Sequence, residues 1–220
     1  MGAFSGLTEF FGCNLAQLAA QLHYSEDNIL VLQGDAAHLQ KEYPEIYHNI
    51  LSCKHNRDKR TPIHYAQDVV ASWLFEDYLA AKFCQLGRNL TLTGGDRGRK
   101  LLPQAKVSSS SDCKYHHNGN ILKVEIMNGY TSYWKNQGCL DLRDSKYDQL
   151  CADKGVLLCV DTSDRTFAII DFTEAPPPAE YIPHHWPYGD KPAYRLLLSN
   201  VHFHAFLAQN IIDDLDELLE

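Results

Sequence analysis

The sequence lacks any apolar run long enough to cross a membrane, which predicts no transmembrane helix and no membrane partner. The opening residues, MGAFSGLTEFFG, lack a basic stretch followed by an apolar one, so no secretion signal is expected. Met1-Gly2 begins like a myristoylation site, but the residues that follow give it little support. No CxxC pair occurs among the seven cysteines at 13, 53, 84, 113, 139, 151 and 159. Their odd number and apolar settings predict reduced thiols in a cytoplasmic protein rather than a disulfide framework. The eleven histidines cluster only at His116-His117, His184-His185 and His202/His204, and none stands in a zinc-finger arrangement with cysteines. Positive charge is also scarce, with 20 Lys and Arg against 28 Asp and Glu and a net charge of −8. This argues against nucleic-acid binding driven by overall charge alone. The deficit is concentrated in the tail, where residues 213–220 carry five acids. A local basic groove is compatible with it. No internal repeat is visible.

What is present reads as one α/β domain with a small appendage. The 220 residues are 45% hydrophobic and 22% charged, ordinary globular values. Apolar side chains at 7, 10, 11, 15, 18 and 22 make a helical stripe. Ser25 and Asp35 suit N-caps and Pro44 a helix start, so 1–60 is expected to be a helical N-terminal region. Thr61-Pro62 opens a long buried helix, roughly 63–86, closed by Gly87. Asn89–Thr93 is a short β run, and Gly94-Gly95-Asp96-Arg97-Gly98-Arg99-Lys100 is a glycine-punctuated basic loop. Strands are expected near 107–116 and 121–127, and a helix near 140–152. Gly155–Asp161 has the continuous apolar character of a strand covered on both faces. Thr166–Phe172 is a further β run after a Ser163-Asp164 turn. The second strand pair should be antiparallel, while the crossover helix should make a parallel pair. The expected core, 61–172, is therefore a mixed β-sheet flanked by helices. Residues 173–220 form a C-terminal extension on that core: a stiff proline linker, an aromatic stretch without clear period over 179–194, a possible strand over 195–206 and a closing helix over 205–219.

The most informative segment is a hairpin. Asn118-Gly119 joins Ser111-Asp112-Cys113-Lys114-Tyr115 to Ile121-Leu122-Lys123-Val124-Glu125-Ile126-Met127, and Asn-Gly between extended runs is a strong hairpin signal. Asp112 then lies near one end of the ladder and Glu125 on the neighbouring strand. Two carboxylates held by rigid backbone suit a hard cation and can place metal-bound water against a phosphate. Lys123, Glu125 and Met127 share one strand face.

The αβββαβ order, with Asp112 and Glu125 on this hairpin, resembles the PD-(D/E)XK nuclease superfamily and its restriction-endonuclease-like fold. The resemblance covers about 61–172. Asp112 is preceded by Ser111 rather than Pro, and Met127 stands where the motif has lysine. Glu76, in the long helix, matches a further carboxylate that the family often supplies. The resemblance implies a magnesium-dependent endonuclease cutting double-stranded DNA, most plausibly a type II restriction enzyme acting as a homodimer. Asp112, Glu125 and Glu76 are the implied metal ligands, with Asp112 and Glu125 catalytic. Lys123, Lys135 or Lys146 could replace the missing lysine, with Lys146 favoured slightly because the family's post-strand helix packs beside the site. The other openings are water activation by metal alone and lost catalysis. Arg97, Arg99 and Lys100 could contact the DNA backbone, and Asn128 and Tyr130 could face the substrate. The alternatives are a repair nuclease of the same fold, or a catalytically inactive DNA-binding or assembly module.

Overall fold

The chain begins with a stack of short helices. In the computed structural model, which describes residues 2–52, 60–93, 98–101, 111–130, 132–199 and 201–220, these are α1 (Ala3–Phe11), α2 (Leu15–Gln21), α3 (Glu26–Gln33), α4 (Ala36–Glu42) and α5 (Pro44–Ser52). The apolar stripe over 7–22 runs through two helices. Gly12 takes a left-handed φ of 64° at the end of α1, and Asn14 accepts the amides of Ala16 and Gln17 at 2.9 and 3.3 Å to start α2. A glycine at C′ and an asparagine N-cap are local stop and start signals that the continuing periodicity does not override. Asp35 caps α4 through the His38 amide at 3.0 Å. Ser25 occupies the N-cap position of α3 without bonding a helix amide.

The long helix α6 (Pro62–Gln85) is built as the sequence suggests. Thr61 Oγ1 accepts the His64 amide at 3.3 Å, Pro62 stands in the first turn, and Gly87 follows the helix with φ 72°. The strands are β1 (Asn89–Leu92), β2 (Cys113–His117), β3 (Asn120–Gly129), β4 (Cys139–Arg143), β5 (Val156–Asp161), β6 (Thr166–Asp171), β7 (Ala179–His185), β8 (Lys191–Leu197) and β9 (His204–Ala205). The remaining helices are α7 (Tyr133–Gln137), α8 (Asp144–Asp153) and α9 (Ala208–Glu217). Six strands form one sheet in the order β1-β2-β3-β5-β6-β9, and β4-β8-β7 form a second. β3 and β5 are parallel, whereas β2–β3 and β5–β6 are antiparallel. The protein is thus a mixed α/β fold with an N-terminal helical region. No helix among the described residues is long and apolar enough to cross a membrane.

Alternation along the central strands builds two cores. Leu122 and Val124 of β3 and Val156, Leu158 and Val160 of β5 enter a core shared with α1, α3 and α6. Leu157 and Cys159 enter a second core with Leu140, Leu142, Leu150 and Leu196, and Met127 packs against it. This explains why all six residues of β5 are buried. Gly155 is required before β5, because a Cβ there would lie 2.8 Å from the Lys123 carbonyl oxygen.

Three expectations need correction. Residues 139–143 are strand rather than the first turn of a helix. Leu140 and Leu142 alternate into the second core, and the strand pairs with β8, whose partner residues lie far along the chain, as in Asp141↔Arg195. The aperiodic stretch 179–194 contains β7 and most of β8, joined by a 3₁₀ turn at Trp186–Tyr188. The expected strand 195–206 is divided between the end of β8 and the two-residue β9. The leading part of the hairpin before 111 and the loop residues 94–97 lie outside the described residues.

Candidate functional site

The hairpin turn has φ 49° at Asn118 and φ 84° at Gly119, the double positive φ of a type I′ turn that matches strand twist. It sets the register Cys113↔Val124 through His117↔Asn120. One step past the ladder, Asp112 stands beside Glu125. Asp112 Oδ2 accepts the Ile126 amide at 2.9 Å, and its carbonyl accepts the Thr93 amide at 2.8 Å. The Asp112 backbone also hydrogen-bonds the Glu125 carboxylate. Backbone from β3 and from the residues flanking β1 and β2 therefore holds both acids.

Glu125 is buried and meets Lys146 Nζ at 2.6 Å. Burial first, then the charge of Asp112, pushes its carboxyl up to about 7, while Lys146 pulls the other way. Lys146 comes from the first turn of α8, which packs across that face of the sheet. Lys123, two residues before Glu125 on the same face, is ion-paired with Asp153 at the far end of α8. Lys135 is 77% exposed and lies 3.8 Å from Asp164. The sequence left three lysines open, and the fold brings Lys146 alone of them onto Glu125. Met127 packs against the second core.

Glu76 approaches from α6. Its Oε2 lies 2.7 Å from Arg99 Nη1, and Arg99 Nη2 lies 2.7 Å from Asp77 Oδ1. The guanidinium also sits 5.8 Å over the Trp73 ring, and the Arg99 carbonyl accepts Asn28 Nδ2 at 2.7 Å. Burial disfavours the Arg99 charge, but Asp77 and Glu76 outweigh it and hold the group more firmly protonated. Arg99 therefore turns inward to order Glu76, where the sequence suggested a residue reaching out to a DNA backbone. Sequence reasoning missed this tie, because a contact between Glu76 and Arg99 leaves no local pattern. Cys113 lies among these charges. Burial first, then Glu76 and Asp112, raises its thiol, and Glu125 adds to the effect. Three carboxylates thus bear on one end of the hairpin, although no group of three or more His, Cys, Asp or Glu among the described residues is arranged to hold a metal ion.

The remaining candidates are scattered. Lys100 is exposed. Asn128 is half-buried, and its Oδ1 has no hydrogen-bond partner among the described residues. Tyr130 lines a cleft beside α6. Arg97 lies outside the described residues. No model of a known protein family matches the sequence, and a search of curated proteins returns no match. The class defined by fold and site is a mixed α/β protein with a carboxylate–lysine cluster, centred on the buried Glu125, at a hairpin end.

Proposed function

We propose that the protein is a magnesium-dependent endonuclease that hydrolyses DNA phosphodiester bonds, within the PD-(D/E)XK superfamily and of the type II restriction class. The observation that carries this is Lys146 Nζ at 2.6 Å from Glu125, with Asp112 beside it on the hairpin. Acid, acid and lysine are the motif's three chemical parts, and here a helix supplies the lysine that Met127 does not.

The donor set suits a hard cation. Asp112 and Glu125 offer carboxylate oxygens of the kind magnesium takes, and a Glu125 carboxyl raised to about 7, by burial first and then by the charge of Asp112, is one whose ionised form a cation stabilises. These two would hold the ion, with Glu76 held close by Arg99. A bound magnesium ion would supply an activated water and charge neutralisation at the phosphate. Lys146 provides a positioned ammonium for the attacking water or a phosphate oxygen. Double-stranded DNA cut by a two-fold homodimer is the partner arrangement that the family resemblance implies.

The test is plasmid digestion with magnesium. Discrete fragments indicate site-specific restriction, and a smear indicates a non-specific or repair nuclease. Asp112→Ala should abolish cutting while the fold and much DNA binding persist, because a metal ligand is lost rather than core. Retained DNA binding without any cutting favours a second reading, an inactive DNA-binding module. Met127 and the tying of Glu76 to Arg99 are the observations on its side.

A further inference from the structure

Glu76 reaches the candidate site with a cation already attached. Arg99 Nη1 lies 2.7 Å from Glu76 Oε2 and Nη2 lies 2.7 Å from Asp77 Oδ1, so one guanidinium bridges two successive acids of α6. The Arg99 and Glu76 side chains are 14% and 11% exposed, so little water weakens their pairing. Tyr24 donates its hydroxyl to the other oxygen of Asp77. Asn28 and Asn49 donate to the carbonyls of Arg99 and Leu101 at 2.7 and 3.0 Å, which pins residues 99–101 to α3 and α5.

These contacts impose the placement against a local cost. Arg99 has φ 51°, a left-handed conformation that a non-glycine residue rarely adopts unless its surroundings hold it there. Its Nε is buried and finds no hydrogen-bond partner among the described residues. Bridging two acids therefore outranks complete hydrogen bonding of the guanidinium. Asn28 Oδ1 is also buried without a partner among the described residues. Two carboxylates and an amide oxygen are donors of the kind a hard divalent cation takes. Arginine keeps its charge across the whole working range of pH, so the place stays filled. Glu76, Arg99, Asp112 and Glu125 all act on the Cys113 thiol, which sets this ion pair next to the Asp112–Glu125 site.

We propose that Arg99 stands in for a second divalent cation, so that the protein binds one ion per chain, on Asp112 and Glu125, with Glu76 outside its coordination shell. The inference rests on the magnesium site of the endonuclease function above and specifies how many ions that site takes. It also accounts for the lack of a three-acid metal group among the described residues, since the third acid is already neutralised from within.

The experiment counts the manganese bound by the full chain, without DNA and at pH 8, from the electron paramagnetic resonance signal of the free ion. The wild type should bind one manganese ion per chain. Arg99→Gln should bind two, the second with a Kd of about 10⁻⁴–10⁻³ M, the range of weak all-oxygen sites. Adding Asp112→Ala to Arg99→Gln should remove one ion and leave the other, and loss of both overturns the assignment. A folded Arg99→Gln protein that still binds one ion shows a plain structural tie and overturns it too. Glu76→Gln decides the matter if circular dichroism shows Arg99→Gln unfolded. It should keep one ion, with affinity within about tenfold of wild type, the scale of a nearby charge that does not coordinate. A larger loss makes Glu76 a ligand of the bound ion and overturns the proposal. Two ions on a wild type that cuts DNA keep the endonuclease function and remove this inference. One ion on a wild type that never cuts keeps this inference and removes the endonuclease function. A wild type that binds no ion overturns both.

Discussion

Glu125 occupies a costly position for a carboxylate. It is buried next to Asp112, and Lys146 Nζ at 2.6 Å does not cancel both effects, so its carboxyl rises from 4.5 to about 7. Two consequences have opposite signs. For stability, the folded chain holds a proton between about pH 4.5 and 7 that the unfolded chain has released. This group's contribution therefore worsens as pH rises through that window, and the penalty is complete above it. Glu125→Gln should then unfold at a higher temperature than wild type at pH 8 and show no such advantage at pH 4.5. For cation binding, the carboxyl must be ionised, so protons compete with the metal. Calorimetric magnesium titrations should show affinity climbing as pH approaches 7 and levelling above it. A magnesium affinity that does not change between pH 5.5 and 8 would remove Glu125 from the ligand set.

Which lysine meets Glu125 is decided at the level of one helix. α8 crosses the sheet so that its first turn lies over Glu125 and its last turn over Lys123, which sends Lys146 to the acid and Asp153 to Lys123. Lys146→Ala should lower cleavage by on the order of 10²-fold, the scale of a positioned proton-transfer group. Lys123→Ala and Lys135→Ala should cut like wild type, and loss of either partly exposed pair should cost less than about 1 kcal/mol in stability. Normal cutting by all three variants would leave activation to the metal alone. What the sequence revealed here follows from the range of the interactions. The hairpin, the caps of α6 and the apolar run of β5 are written within a few residues, and the fold realises each. Lys146 was legible only as one of three candidates, because a helix's direction over a sheet is decided by packing. β7 and β8 pair around the 3₁₀ turn with a register shift between Ile182 and His185 that breaks any simple alternation. β4 was not legible, because its pairing with β8 spans fifty residues or more, as in Arg195 Nε to Asp141 Oδ1 at 2.8 Å. The inward tie of Arg99 was hidden for the same reason, since a glycine-punctuated basic loop gives no sign of the two acids that meet its guanidinium.

At the scale of the molecule, residues 175–220 complete both cores. β8 contributes Leu196, and Leu198 follows it into the layer that also holds Leu140, Leu142 and Leu150 and packs Met127. α9 contributes Ile211, Ile212 and Leu215 to the core shared with α6. All five are at most 8% exposed. At about 1.5–3 kcal/mol for each side chain withdrawn from water, their combined burial approaches the roughly 5–15 kcal/mol that is the whole stability of a typical domain. β4 would also lose its partner strand, and α8 would lose the Tyr194 ring that stacks on Tyr147 at 4.1 Å. Asp112, Glu125, Glu76 and Lys146 all lie before residue 174, so a minimal core ending there would carry every group of the proposed site. It should nevertheless fail. A chain truncated after Glu174 is expected to show no cooperative thermal unfolding by circular dichroism and no magnesium-dependent cleavage, whereas the full chain unfolds in a single transition. A truncated chain that melts cooperatively and keeps its magnesium affinity would show that the hairpin, α6 and α8 hold the carboxylate–lysine cluster without the second sheet.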